Sequence, residues 1–209
     1  SAKAKSSLPP RLKAVTMRRH YAVLLRRAAS LPSLPLVSSL HAAALRRGAV
    51  LVPSLIHAYS ACGDPASARS VFDGLPAQEQ TLSARTALAS AMSAHGRCRE
   101  VPGLFIGRER EMDDKAVTVV LAACARAGMV AEGRAVFARV RRPALQHYTC
   151  MVEMLGRVGQ VEEAEGLVVR MEACPDRVIF AVLLAACREH RRVDVAERVA
   201  RLMRGYGIA

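Results

Sequence analysis

Cysteines, histidines and carboxylates are the groups through which this chain could bind a metal or move a proton. Cys62, Cys98, Cys124, Cys150, Cys174 and Cys187 form no C-x-x-C pair, the close spacing on which structural zinc sites depend. They read as small buried residues with reduced thiols, and no disulfide framework is expected in so apolar a chain. His95, His147 and His190 lie in no H-x-E…P-C-x-x-C context, the signature of zinc deaminases. There is no G-x-S-x-G, P-loop or H-E-x-x-H, so no nucleophile elbow, phosphate cradle or metalloprotease helix is present. Glu162, Glu163 and Glu165 fall on the outer face of a helix, where charge is ordinary. The pattern is that of a binding module, with no enzyme activity and no cofactor expected. The charge says what kind of partner. Lys and Arg number 31 against 18 acids, a net charge of +13, which favours a polyanion, either nucleic acid or an anionic membrane surface. Arg18-Arg19, Arg26-Arg27, Arg46-Arg47, Arg141-Arg142 and Arg191-Arg192 are solvated pairs able to track phosphates. No apolar run reaches the roughly 18 residues of a spanning helix, so no spanning helix is expected, and of the two polyanions the expected partner is nucleic acid, with no membrane.

The elements that must carry these residues are helices. The chain is 52% apolar but 4% aromatic, without Trp, and a core of Leu, Val, Ala and Met suits helix-on-helix packing. The stretch His147–Asp176 puts Met151, Met154 and Leu155 on one face, then Val161, Ala164, Leu167, Val168 and Met171 on another. That is helical spacing twice, across a turn at Gly159. One such hairpin cannot bury its own faces and needs copies beside it. Gly63, Gly96, Gly128 and Gly159 recur every 31 to 33 residues, within the related phrases Leu55–Phe72, Leu88–Phe105, Val120–Phe137 and Met151–Val168. A fifth phrase, Val182–Val199, carries Arg191 in place of the glycine, and LAAC recurs at Leu121–Cys124 and Leu184–Cys187. The expected fold is all-α, a right-handed α-solenoid of about six helix–turn–helix repeats of 31–35 residues. The units fall near 18–48, 49–79, 82–113, 114–144, 145–176 and 177–209. Residues 1–17 are basic and acid-free, a plain tail or the remnant of an organellar transit segment on a processed chain.

These phrases resemble the pentatricopeptide repeat family of plants, over residues 18–209. HYTCMVEMLGRVGQVEEAEGLVVRMEACPD (His147–Asp176), followed by VIFAVLLAACREH (Val178–His190), is similar to the last short repeat and first extension motif of the subclass whose repeats alternate in length. SLHAAALRRG (Ser39–Gly48) and SLIHAYSACGDPASARSVFDGLP (Ser54–Pro76) look like a long repeat followed by a short one. The W-x-x-L-G-x-x-Y phrase of tetratricopeptide repeats is not found. The resemblance implies a sequence-specific binder of single-stranded RNA in the mitochondrion, or else the chloroplast, with each repeat reading about one base through two or three side chains. It implies a part in C-to-U RNA editing with the deaminase acting in trans, or in splicing or transcript stability. It also implies a protein partner at 177–209. The competing reading from the residues alone is a protein-interaction scaffold without RNA specificity.

The family's reading positions are the fifth residue of a repeat's first helix and the residue that closes the repeat. They carry over to Thr86 with Asp113 (Asp114 competing) and to Thr149 with Asp176. In the family, Thr with Asp favours guanine, whose N–H donors suit an acceptor-only carboxylate. Thr118 pairs with Ala144, which cannot hydrogen-bond through its side chain, while Pro53 with Glu79, and Ala22, make no recognisable pair. Val50, Ser83, Lys115, Gln146 and Val178 take the base-flanking second position. The links after Phe105 and Phe137 are shorter than the family pattern, and Phe180 stands where the extension motif has Trp.

Overall fold

In the computed structural model of the chain, residues 10–31, 33–48 and 51–208 are described, with side chains from residue 16 onward. Eleven α-helices and four short 3-10 segments, with no strand, make up the described residues. The fold is all-α, of the helical-repeat solenoid class. The chain divides into two compact units, residues 1–95 and 96–209.

The first unit holds α1 (Pro10–Ser30), α2 (Leu34–Arg46), α3 (Val52–Ala61), α4 (Pro65–Asp73) and α5 (Leu82–Ala94). α1 opens at Pro10, within the stretch read above as a tail. Its buried residues Tyr21, Leu25 and Ala28 share a face, and α1 packs on α3, which packs on α5. The first helices of successive hairpins thus form one row, and α2 and α4 flank it. α3 ends where Gly63 takes φ +77°, the left-handed conformation that glycine adopts without steric cost. α4 then starts at once, because Asp64 accepts from the Ser67 amide at 2.9 Å and Pro65 supplies a first residue that needs no donor. The Ser67 hydroxyl first, and the Ser67 amide after it, hold the Asp64 carboxyl below its usual pKa. Hydrogen bonds tie neighbouring hairpins. His95 Nε2 lies 2.8 Å from the Ser60 carbonyl, and His41 Nδ1 lies 3.0 Å from the Tyr59 hydroxyl.

The second unit holds α6 (Asp114–Ala127), α7 (Val130–Phe137), α8 (Leu145–Arg157), α9 (Val161–Arg170), α10 (Arg177–Glu189) and α11 (Val193–Gly205). α6, α8 and α10 pack side by side as the row of first helices. Their core includes Val152, Leu155, Val161, Val168, Phe180 and Leu183, all buried. Met151 and Met154 are buried with them, while Leu167 and Met171 sit at the margin. The contact between α8 and α10 is close. A Cβ at Gly156 would stand 2.7 Å from the Ala186 Cβ, so glycine is what allows this approach.

Two local departures from the repeat have clear causes. The segment after Gly96 forms two 3-10 pieces, Cys98–Glu100 and Pro102–Phe105, in place of a second helix. Pro102 has no N–H and its ring collides with the carbonyl four residues back, so an α-helix cannot pass through. Leu104 and Phe105 are still buried. At the last hairpin Arg191 takes the glycine's role with φ +54°, alone among the described non-glycine residues.

Candidate nucleic-acid interface

Two of the three first helices in the second unit start with the same arrangement. Asp113 caps α6, its carboxylate accepting from the Ala116 amide at 2.8 Å. Asp176 caps α10 in the same way, accepting from the Ile179 amide at 2.9 Å. The residues expected to close a repeat are therefore also the N-caps of the helix that opens the next. Each capping carboxylate has two oxygens and about four lone-pair sites. One oxygen is given to the backbone and the other has no partner among the described residues.

The second residues of α6, α8 and α10 are Lys115, Gln146 and Val178, all exposed. The fifth residues are Thr118, Thr149 and Ala181. Second and fifth residues are three apart and share a helix face. The caps, second and fifth residues thus form a ladder with one rung per helix, across three adjacent helices. Thr118 Oγ1 donates to the Asp114 carbonyl at 2.7 Å, and Thr149 Oγ1 donates to the Leu145 carbonyl at 2.9 Å. Each hydroxyl has spent its proton inside its own helix and offers only lone pairs outward. Both threonines are half-buried. The rung at Thr149 and Asp176 is therefore all acceptor, suited to a ligand edge that carries N–H donors.

α8 lacks a capping side chain because Ala144 occupies the cap position. His147 compensates. Its Nδ1 accepts from the Ala144 amide at 3.1 Å, which leaves the proton on Nε2, 3.1 Å from the Asp114 carbonyl. The ring is fully buried and ties the start of α8 to the start of α6. Sequence reading missed this residue; the signal it left was a histidine three residues after a cap position without a polar side chain.

In the first unit, α5 has the same layout. Thr81 caps it, accepting from the Ala84 amide at 3.3 Å, Ser83 is second and exposed, and Thr86 is fifth. Thr86 is only 5% exposed, and its hydroxyl donates to the Leu82 carbonyl at 2.8 Å. It lacks the exposure of Thr118 and Thr149. Glu79, taken from sequence as a closing residue, lies in the 3-10 turn Ala77–Glu79; Thr81 holds the equivalent place. Val50 lies outside the described residues.

The remaining chemistry is quiet. All six cysteines are free thiols. Burial pushes the Cys124 and Cys150 thiols up to about 11, so both stay neutral near pH 7. Among the described residues no group of three or more His, Cys, Asp or Glu gathers as a metal site, and no helix is long and apolar enough to cross a membrane. Glu162, Glu163 and Glu165 turn out to join neighbouring hairpins. They pair with Arg192, Arg134 and Arg198 respectively.

The family model described as PPR repeat matches residues 54–76 and 146–174, which are the second hairpin and the hairpin of α8 and α9. Pentatricopeptide repeat-containing protein At5g15340, mitochondrial, of Arabidopsis thaliana is 37% identical over 154 residues. The chain belongs to the pentatricopeptide repeat family. That Arabidopsis protein aligns with 71% of this chain but 24% of its own length. A second relative from the same plant, putative pentatricopeptide repeat-containing protein At3g13770, mitochondrial, is 37% identical over 195 residues, covering 87% of this chain and 31% of itself. The chain thus spans under a third of the pentatricopeptide repeat proteins it is compared with here. Among solved structures, the pentatricopeptide repeat protein PPR10 in complex with an 18-nt psaJ RNA element matches with a TM-score of 0.74 at 19% identity. The match covers 90% of this chain and 30% of PPR10, and at that identity it speaks for the fold.

Proposed function

We propose that this chain binds single-stranded RNA with sequence preference, one base per repeat, through the ladder of cap, second and fifth residues on its first helices. The observation that carries the reading is the rung at Thr149 and Asp176. Two acceptors, a threonine hydroxyl with its proton already used and a carboxylate oxygen left over from capping, face outward on neighbouring helices. Guanine presents N–H donors on its pairing edge, so this rung selects guanine. At Thr118 the closing residue is Ala144, and the rung accepts any base. Asp113, the cap of α6, supplies a second acceptor, and the preferred site has the form G-N-G, running 5′ to 3′ from N- to C-terminal repeats. Thr86 is buried with its proton used inside its own helix, so the first G is assigned to Asp113. Ser83, Lys115, Gln146 and Val178, exposed beside the rungs, flank the bases.

The assigned role is that of a site-recognition factor for C-to-U RNA editing in an organelle. The subclass is the one with alternating repeat lengths and a C-terminal extension motif. The deaminase is recruited in trans, with residues 177–209 as the docking unit. Relatives named as mitochondrial support the organelle, and a structural neighbour solved with RNA bound supports the RNA partner; the editing role and the subclass rest on the resemblance of His147–Asp176 and Val178–His190 to the family's motifs.

The test is selection from a random single-stranded RNA pool at two salt concentrations. Enrichment of G-N-G, lost in a Thr149→Ala plus Asp176→Ala variant, is the expected result. Binding without any enriched motif would leave phosphate attraction alone and favour a protein-interaction scaffold.

A further inference from the structure

A cleft of about 1320 Å³ opens in the second unit between two links that each lead into a first helix. One wall is the 3-10 turn Glu109–Glu111, just before the cap of α6. The other is the stretch after α7 that runs to Ala144. Arg110, Arg139, Arg141 and Arg142 line it over a floor that includes valines. All four are exposed, and none forms a salt bridge or side-chain hydrogen bond among the described residues. Other exposed arginines, Arg177, Arg188 and Arg204 among them, also have none, and what sets the cleft apart is that four such side chains line it together. Arg69, Arg97, Arg108, Arg134, Arg157, Arg192 and Arg198 each have a carboxylate partner.

The cleft has two acids, Glu109 and Asp114. The Glu109 carboxylate accepts from the Gly107 amide at 3.1 Å. Backbone hydrogen bonds hold its pKa below the usual value, and the field of Arg139 adds to this. Asp114, the first residue of α6, offers its carbonyl to Thr118 and His147. Four cations face two carboxylates, so the cleft is net positive.

We propose that this cleft binds the phosphodiester backbone of the single strand, at the repeat whose closing residue cannot hydrogen-bond a base. The inference rests on the single-strand RNA reading above. Guanidinium groups bind phosphate oxygens through paired N–H donors. Four of them around an open cleft of this size serve a run of phosphates rather than one. The location gives the site its use. Its lining includes Asp114, the residue after the cap of α6, and Arg142, two residues before Ala144, the cap of α8. At that rung the closing residue cannot hydrogen-bond a base through its side chain, and the arginines from the two shortened links hold the strand by its charge instead. The strand stays attached across the indifferent position, and selectivity is left to the rungs on either side.

The experiment uses the full chain and a fluorescent abasic oligonucleotide, which has phosphates but no bases. Binding is measured by anisotropy across a salt series, for the wild-type chain, for Arg141→Ala plus Arg142→Ala, and for Thr149→Ala plus Asp176→Ala. The wild type is expected to bind the abasic strand at low salt. The arginine variant is expected to bind it more weakly, with a log–log salt slope shallower by about 0.7 for each phosphate no longer neutralised, or about 1.4 for both arginines. The Thr149 and Asp176 variant should match the wild type on this probe. Thermal melts should coincide for the wild type and the arginine variant, because both arginines are exposed and without partners. An unchanged slope in the arginine variant overturns the proposal. So does displacement of the abasic strand by an acidic peptide of equal charge at equal concentration, which would assign the cleft to a protein segment. The base-reading proposal fails separately. If the RNA pool yields no motif while abasic binding still depends on Arg141 and Arg142, the cleft stands and the rungs do not.

Discussion

Asp176 has two jobs in the reading above, and one substitution separates them. Its carboxylate caps α10 by accepting from the Ile179 amide at 2.9 Å, and its second oxygen is assigned to guanine. Asparagine caps a helix about as well as aspartate. Asp176→Asn therefore keeps the backbone bond and loses only the favourable charge at the helix start, worth about 0.3–1 kcal/mol. Its effect on binding should be larger. A hydrogen bond between a charged acceptor and a base N–H contributes about 1.5–3 kcal/mol, or roughly ten- to a hundredfold in affinity. The asparagine amide adds two donors and keeps one acceptor. That suits adenine, whose pairing edge carries one of each. The Asn variant should unfold in urea within about 1 kcal/mol of the wild type, and its preference should move from G toward A in oligonucleotides that differ at one base. Asp176→Ala should lose both roles. Stability should fall by about 1 kcal/mol, and selection at that base should vanish. An Asn variant that keeps the wild-type preference for G would refute the reasoning, because Asp176 would then be a cap and nothing more.

Arg191→Gly should stabilise the chain by about 1 kcal/mol, because a side chain held at φ +54° costs roughly that much and glycine does not; a lower melting temperature would mean the arginine's own interactions outweigh the strain. His147→Ala should destabilise by about 2–4 kcal/mol in urea unfolding, through the loss of two hydrogen bonds and the opening of a cavity where a fully buried ring had been; a change under about 0.5 kcal/mol would remove the ring from its bridging role. Alkaline titration should weaken the fold. The Cys124 and Cys150 thiols rise from 9.0 to about 11 on folding because burial disfavours the thiolate. The folded state therefore holds these protons more tightly than the unfolded one, and their contribution is fully present below pH 9 and lost as pH rises toward 11. Urea midpoints measured between pH 8 and 11 should fall over that window, and should fall less in a Cys124→Ala plus Cys150→Ala variant.

The sequence carried the fold wherever its signals were local. Gly63, Gly96, Gly128 and Gly159 mark turns by period alone, and all four adopt positive φ. The apolar spacing of Met151, Met154 and Leu155 marks a buried face, and all three are buried. The absence of a second α-helix after Gly96 was equally local, written in Pro102 and Gly103, but the similarity of its phrase to the others masked it. The site was legible only in part, because its hydrogen bonds span a repeat. His147 reaches the Asp114 carbonyl 33 residues away, and a backbone acceptor leaves no trace in residue types. Arg198 with Glu165 also spans 33 residues. There both partners are charged, so reading the chain one period at a time would have paired them. The four cleft arginines come from two links that look like irregular spacers until the hairpins are stacked.

If the rungs read bases as proposed, the ladder lets what is read change without changing how well the chain folds. A closing residue is at once the last of one repeat and the cap of the next helix, as Asp113 and Asp176 show. The best caps are Asp, Asn, Ser and Thr, and these side chains are also short, polar and able to meet a base edge. The fold therefore asks for a member of this set and is nearly indifferent to which one. The base is not indifferent, because the set differs in donors and acceptors. Where the capping side chain is absent, at Ala144, the His147 ring braces the start of α8 by accepting from the Ala144 amide, and on the proposed reading the rung lacks its closing reader while the helix remains. Stability constrains the position to a polar cap or a substitute for one, and the choice within that set is left to recognition. On this argument the information a rung carries lies in the one substitution, Asp to Asn, that urea unfolding scarcely registers.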